Sequence, residues 1–384
     1  MRKHRRTTAR RFRGGRLNAV LSFLVSNRER LELGRYGLSG EMSHILITPR
    51  WPTSRHVVVL VTARGEPRPA LVVKVPRLRE SGTEIGREAV SLRAVHSARA
   101  GGFDTIPRVV AFEKHLGQPM LIETALVGRP IYTIASRERS WYVGAAMAWL
   151  TELPRSAVTS AGSSSRRCEL LLDKPLQRFG RLFPAGAEEA TLVERTLGLL
   201  EPLRSADVPL VFEHGDLSHP NLLLLADGRI GVVDWELAER KGLPGHDLFF
   251  FLTYVAFATR HARTTEQRIA AFHDAFIRPG AWARTFVARY AERLGIESSL
   301  LTPLLLACWT RYTTRLQLRV ADEPTREDDS GAAGQRDRAP PRDAAGWLRT
   351  YPYYSLWRHA VDHSEALDWS APAYAKSRRA HLSL

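Results

Sequence analysis

Leu210-Val-Phe-Glu-His-Gly-Asp-Leu-Ser-His-Pro-Asn-Leu222, followed shortly by Ile230-Gly-Val-Val-Asp-Trp-Glu236, decides how the chain is read. An apolar run leads into His214-Gly215-Asp216, and Asn221 stands five positions after that Asp. A second apolar run ends at Asp234, 18 positions after Asp216. Single Asp or Asn residues carry no signal. An Asp-x4-Asn loop between apolar runs, with a second Asp closing the next run, is far more specific. Phosphoryl transfer explains the residue types. One carboxylate takes or orients a hydroxyl proton, while an amide oxygen and a second carboxylate hold magnesium against phosphate oxygens.

Upstream the pattern is strand-rich. His44 to Thr48, His56 to Thr62 and Ala70 to Val75 are β-prone runs joined by short connections, which predicts an antiparallel meander. Lys74 interrupts the third run, with Val73 and Val75 facing the other way in a strand. Such a lysine is either solvated at an edge or projects into a cleft to meet phosphate. Glu84 to Val95 reads as a helix with Ala89, Leu92 and Val95 on one face. Glu88, one turn before Leu92, is the expected ion-pair partner of Lys74. Glu84 is the weaker candidate, and two solvated glutamates are the plain alternative. Pro107 to Phe112 and Met120 to Glu123 read as further strands. The connector Thr124 to Pro130 marks a boundary between a small strand-rich lobe and a larger helical one.

On Lys74, Glu88, His214-Gly215-Asp216-Leu217 with Asn221, and Val233-Asp234-Trp235-Glu236, the sequence resembles the aminoglycoside phosphotransferase family over roughly residues 40 to 260. The resemblance implies an α+β, two-lobed protein-kinase-like fold: a small antiparallel sheet with one helix, then a larger, mostly helical lobe. It implies that Lys74, held by Glu88, meets the α/β-phosphates of ATP, that Asp216 is the catalytic base, and that Asn221 and Asp234 hold Mg2+. The backbone from Glu123 to Leu126, including Ala125, would be the hinge that meets adenine. Ser54, in the loop Arg50 to Arg55, would face the phosphates. That loop departs from the kinase pattern, having Pro49 and Pro52 where protein kinases are glycine-rich. GTP in place of ATP is compatible with the same residues. Asp247, opening the apolar run Leu248 to Ala258, would brace the backbone of the catalytic loop; a plain helix N-terminal acid is the alternative. His214 would orient that loop, and His219 would lie near its rim.

In the larger lobe, Trp141 to Leu153, Glu169 to Phe183, Glu188 to Leu203 and Glu266 to Leu318 read as helical, and Ser156 to Arg167 as a Ser/Gly-rich loop. The expected division is a basic tail with a leading amphipathic helix (1–40), a nucleotide-binding lobe (41–126), a helical catalytic and substrate lobe (127–320), a flexible acidic linker or insertion (321–346) and an aromatic C-terminal segment (347–384). Trp347, Tyr351, Tyr353, Tyr354 and Trp357 either anchor a terminal helix or stack on a substrate ring.

Composition bounds the rest. The net charge of +16 is concentrated at the start, where Met1 to Arg16 carries eight Arg or Lys and no acid. Nucleic-acid or anionic-membrane contact by this tail is one reading, and a solubilising tail the expected one, since Phe12 is its only aromatic. Leu17, Val20, Leu21, Leu24, Val25 and Leu31 continue as an amphipathic helix rather than a signal peptide, for no small-residue cleavage site follows. The longest apolar run, Leu248 to Ala258, is too short to span a bilayer, so no transmembrane segment is expected. Two cysteines make no disulfide framework, and no Cys/His cluster shows zinc-ligand spacing along the chain, which makes the cytoplasm the default location. The functional expectation is ATP-dependent phosphoryl transfer to a hydroxyl of a small molecule: a sugar, an aminoglycoside or other antibiotic, or a metabolite. A nucleotide-binding module without turnover is the alternative, and the complete set Lys74, Glu88, Asp216, Asn221 and Asp234 speaks against it.

Overall fold

The structure is a computed structural model that describes residues 19–47, 56–77, 82–131, 139–153, 161–183, 186–321, 348, 350–367 and 369. The basic tail, the loop Arg50 to Arg55 with Ser54, and residues 322–347, Trp347 among them, lie outside the described residues. The chain forms two compact units, Met1–Arg129 with Leu223–Leu237, and Pro130–Leu222 with Ala238–Leu384.

In the first unit, β1 (Met42–Ile47), β2 (His56–Ala63), β3 (Leu71–Pro76), β4 (Val109–His115) and β5 (Gln118–Thr124) form an antiparallel sheet of order β1-β2-β3-β5-β4. The first three strands are the expected meander. The last hairpin folds back so that β5 pairs with β3, placing Lys74 opposite Val58 on one side and Leu121 on the other. Period-two alternation then sorts the faces. Leu71, Val73 and Val75 are buried in a core with Val59, Val61, Met120 and Ile122. Val20, Phe23 and Leu24 of helix α1 (19–26) close that core, with Leu31, Leu33 and Leu38. The leading helix is therefore amphipathic, but Phe23 faces inward while Val25 is exposed. Helix α2 (Gly82–Ser97) packs on β3, β4 and β5, and its Ala89, Leu92 and Val95 are fully buried. Strands β6 (Gly128–Pro130), β8 (Leu222–Leu225) and β9 (Ile230–Val232) make a small second sheet. The Val232 amide donates to the Thr105 carbonyl at 2.8 Å and so ties the residues before Asp234 to the first unit.

The second unit is mostly helical: α3 (Arg139–Glu152), α4 (Ala161–Cys168), α5 (Lys174–Gly180), α6 (Glu188–Leu199), α7 (Pro202–Ser205), α8 (His246–Thr259), α9 (Thr265–Phe272), α10 (Ala283–Leu294), α11 (Leu301–Ala321) and α12 (Pro352–Asp362). One antiparallel pair, β7 (Val211–Glu213) with β10 (Glu239–Gly242), leads into the catalytic-type loop. A helix that is apolar all round belongs in a core, and Leu248 to Leu252 of α8 are buried without exception. The Ser/Gly-rich stretch expected as a loop is helical from Ala161 onward. It runs through a π-helical turn, Glu169–Asp173, into α5, and burial of Cys168, Leu172 and Leu176 outweighs its poor helix propensity. Thr264 and Gln267 form a capping box at the start of α9, a signal present in the sequence that the helix reading passed over. Among the described residues no helix is long and apolar enough to cross a membrane.

Candidate active site

The functional residues fall into one cluster in each unit. In the first, Lys74 leaves β3 on the face opposite Val73 and Val75, so its stem passes through the layer between sheet and α2. Its ammonium donates to Glu88 Oε1 and lies 3.5 Å from Glu123 Oε1 and 3.5 Å from Asp234 Oδ1. Glu88 is fully buried, so the reading of a solvated helix-surface glutamate does not hold; Glu84 is buried as well. Glu88 Oε1 also accepts the Trp235 amide at 2.9 Å, and the Trp235 indole donates to the Val232 carbonyl at 3.1 Å. One carboxylate thus fixes both the lysine and the backbone that follows Asp234.

Asp234 has φ +69°, a left-handed conformation that Asp tolerates better than most residues. Its carboxylate is 35% exposed, whereas those of Glu88 and Glu123 are buried. A partly open carboxylate beside further acids, held by a fixed backbone, is the oxygen-donor chemistry that a hard divalent cation takes.

Burial pulls the Lys74 ammonium down, but the carboxylates Glu123, Glu88 and Asp234 outweigh it and hold it well above its usual value. Glu123 goes the other way. Burial, with Glu88 and Asp234 nearby, pushes its carboxyl up to about 8 against the pull of Lys74. Glu123 thus holds its proton more tightly than an ordinary carboxyl, while Lys74 and the acids around it share one buried, coupled charge cluster. The hinge expectation concerned only the backbone at Glu123; its side chain belongs to the lysine cluster instead. Ala125 also differs from expectation. Its amide donates to the Ala70 carbonyl at 3.0 Å and the Thr124 amide to the Arg108 carbonyl at 2.9 Å, so neither N–H is free for adenine. His56, on β2, joins this neighbourhood, its Nδ1 3.6 Å from Glu236 Oε2; burial, then Lys74, lowers its pKa.

A proton that the folded chain keeps up to about pH 8 is lost by the unfolded chain in the ordinary carboxylate range. On this account stability is full below that range and falls as pH rises to about 8. Glu123→Gln cannot ionise. Its Tm is expected to exceed the wild-type value by a margin that grows by a few degrees between about pH 5 and pH 8. Thermal melts of both proteins across that range check this; a margin independent of pH would mean that Glu123 is ionised throughout.

In the second unit the chain turns sharply after β7. Gly215 has φ +85°, which only glycine adopts without strain, and the turn sets Asp216 at the start of the loop. Asp247, in the first turn of α8, accepts the His214 amide on Oδ2 at 2.7 Å and the Gly215 amide on Oδ1 at 2.8 Å. Both its oxygens are spent on the loop backbone. Burial and then Glu213 push its carboxyl up to about 7, against those two N–H donors. His214 is fully buried and its Nδ1 accepts the Asp216 amide at 3.3 Å. Asn221 Nδ2 donates to the Asp216 carbonyl at 2.8 Å and to Asp216 Oδ2 at 3.1 Å, which turns the amide oxygen of Asn221 away from Asp216. That oxygen is of the kind magnesium takes. His219 is buried between Tyr142 and Tyr254 rather than standing at the rim.

The sequence reading missed several groups here. His246 Nε2 lies 3.3 Å from the Gly215 carbonyl, and burial holds its pKa well below the usual value, so it is a neutral support for the loop. Glu213 is paired through both oxygens with Arg311, at 2.7 and 2.8 Å, in a buried ion pair. Tyr254, Tyr312, Tyr351 and Tyr353 gather from α8, α11 and the start of α12. The Tyr254 and Tyr353 hydroxyls share a hydrogen bond, and Tyr353 stacks on Trp309 at 5.7 Å and 6°. Burial first raises all four phenols; the Asp216 charge is the next cause at Tyr254 and Tyr312, and comes after neighbouring tyrosines at Tyr351 and Tyr353. Tyr354 and Trp357 instead anchor α12, both being buried, with the Trp357 indole on Thr196 Oγ1 at 2.9 Å.

A model described as the phosphotransferase enzyme family matches residues 50–288. The chain belongs to this family. Curated proteins offer no significant match to the sequence. Among solved structures, an ethanolamine kinase from Plasmodium vivax is similar with a TM-score of 0.54 at 10% identity, covering 94% of each chain. A choline kinase from Streptococcus pneumoniae matches with TM-score 0.47 at 10% identity over 88% of this chain and 99% of that one. An aminoglycoside phosphotransferase from Streptomyces rimosus matches with TM-score 0.41 at 16% identity over 76% and 98%. At such identities the likeness speaks to fold. This phosphotransferase has the kinase-like fold, an antiparallel sheet with one helix followed by a mostly helical remainder.

Proposed function

We propose that this phosphotransferase moves the γ-phosphoryl group of ATP to a hydroxyl of a small, neutral, ring-bearing acceptor. The observation that carries the reading is Asp216, held on a loop whose backbone is braced by Asp247, with its charge felt by the Tyr254, Tyr312, Tyr351 and Tyr353 phenols. Asp216 accepts or orients the hydroxyl proton, supported by His214 and Asp247. Positioning and charge neutralisation supply most of the rate, because the phosphoryl group is already activated. Lys74, steadied by Glu88, meets the α/β-phosphates, and Ser54 is the candidate donor on the phosphate loop. Asn221 and Asp234 offer the oxygen donors for magnesium, which when bound offsets negative charge on the phosphates. With the Thr124 and Ala125 amides committed to the Arg108 and Ala70 carbonyls, adenine contact at 123–126 falls to the other backbone groups of that stretch.

Acceptor charge follows from the tyrosines. The charged groups that act on them most are one carboxylate, Asp216, and one cation, Arg268. A polycation needs several carboxylates for electrostatic complementarity. Aromatic walls with few charges suit the face of a sugar, a polyol ring or a macrolide-like compound. The test is a screen of hydroxylated small molecules for ATP-dependent phosphorylation, using 31P NMR to identify the product. Neutral ring compounds are expected among the substrates. In Tyr353→Ala the KM for the acceptor is expected to rise about tenfold, corresponding to the loss of one ring contact, with the KM for ATP unchanged. Phosphorylation of polycations alone would overturn the acceptor assignment.

A further inference from the structure

Helix α12 carries His359, and His363 follows four positions later as the residue that closes the helix, a spacing that brings the two imidazoles to the same side. Their rings lie 4.1 Å apart. A third ring, His273, reaches the pair from a π-helical turn, His273–Ile277, that interrupts the helical run after α9. Its Nδ1 is 3.1 Å from His359 Nε2, and one nitrogen from each of the three histidines lies within 4.8 Å of the others.

We infer that His273, His359 and His363 form a binding site for a divalent transition-metal ion, with zinc the best fit, that staples α12 to the 273–277 turn. Imidazole nitrogens bind zinc at about 2.0–2.1 Å, so two tetrahedral ligands stand about 3.3 Å apart. The His273–His359 separation already matches, and small side-chain rotations bring in the third ring. The lone pairs are also arranged for it. His363 Nδ1 donates to the His359 carbonyl at 2.9 Å, which leaves Nε2 as the nitrogen that carries a lone pair. Such a hydrogen bond from the non-ligating nitrogen to a backbone carbonyl is how metal-binding histidines are oriented.

An open groove of about 590 Å³, lined in part by Glu266, Ile269, Ala270, His273 and His359, gives an ion a path from solvent. The nearby acid Asp274 is occupied with Arg260 and Arg278, so the three imidazoles are the ligands and water completes the fourth position. Along the chain this site is hidden. The expectation that no Cys/His cluster has zinc-ligand spacing is corrected by His359 and His363, which have it; the third ligand stands 86 positions away and only folding supplies it.

The experiment uses tag-free full-length protein, stripped with EDTA and titrated with zinc chloride against a chromophoric chelator. One zinc per chain is expected, with a Tm rise of a few degrees on loading. His363→Ala and His273→Gln, made separately so that misfolding of one leaves the other to decide, are expected to weaken binding at least about 100-fold and to abolish the Tm rise. Cobalt(II) in place of zinc should give the strong visible absorption of a tetrahedral site. Absence of stoichiometric zinc uptake overturns the assignment, as does uptake unchanged in both variants, or only the weak bands of octahedral cobalt.

Discussion

Asp216→Asn is expected to lower kcat by about 10³-fold while leaving ATP binding and Tm close to wild type. An amide has the shape of the carboxylate but cannot accept the hydroxyl proton or carry its charge. The loop does not depend on that charge for its form. Asp247 holds the His214 and Gly215 amides, and the Asn221 amide donates to the Asp216 backbone carbonyl as well as to its side chain. The carbonyl bond survives the substitution, and an Asn side-chain oxygen still accepts the second. Because the proton is transferred only as the hydroxyl attacks, kcat and kcat/KM should fall together, with no compensating change in the KM for ATP. Steady-state kinetics with an acceptor from the screen, and thermal shift with ATP and magnesium, measure the two halves separately. Turnover within a few-fold of wild type would remove Asp216 from the chemistry. Loss of both turnover and ATP-dependent stabilisation would show that it acts on folding of the site.

Much of the fold was legible because its signals are local. Lys74 could be placed on a strand face by the alternation of Val73 and Val75, and Glu88 on a helix face by the step to Leu92; both fall within the reach of one element. The Gly215-Asp216 turn, Asn221 and Asp234 lie within 20 residues of one another, so spacing alone described them. What could not be read depends on partners brought from afar. The Glu123 side chain was passed over because only its backbone was considered, and its position opposite β3 follows from β5 pairing with β3 rather than with β4 alone. The Ala125 amide is taken by Ala70 across the same pairing. The four tyrosines that feel the Asp216 charge come from α8, α11 and the start of α12, and at the end of the chain Tyr354 and Trp357 anchor α12 while Tyr351 and Tyr353 join that group. Local propensity misled at Ala161 to Arg167, where small polar residues fold as helix because the apolar residues after them are buried.

Arg311→Met is expected to destabilise the second unit by about 3–5 kcal/mol and to lower Tm by about 10 °C. Arg311, on α11, and Glu213, the last residue of β7, are 6% and 1% exposed, and their two parallel hydrogen bonds of 2.7 and 2.8 Å are bidentate. Methionine fills the space of the arginine stem but leaves a buried carboxylate without its cation, and that stranded charge, more than the lost bond, sets the cost. The strand pairing adds to the constraint. Gly242 of β10 approaches β7 so closely that a Cβ there would run into the Glu213 carboxyl group, so this carboxylate has little room to turn toward water. Replacing both charges separates pair energy from desolvation. Glu213→Gln combined with Arg311→Met should recover more than half of the loss, because an amide in the same place is neutral. Urea unfolding of the two singles and the double closes the cycle, with an interaction energy of about 2 kcal/mol or more expected. Since Glu213 directly precedes His214, the Arg311 single should also lower kcat more than it changes the KM for ATP. A single-variant cost of about 0.5 kcal/mol, the size of an ordinary surface change, would mean that water reaches Glu213 and that the pair does not hold the strand before the loop.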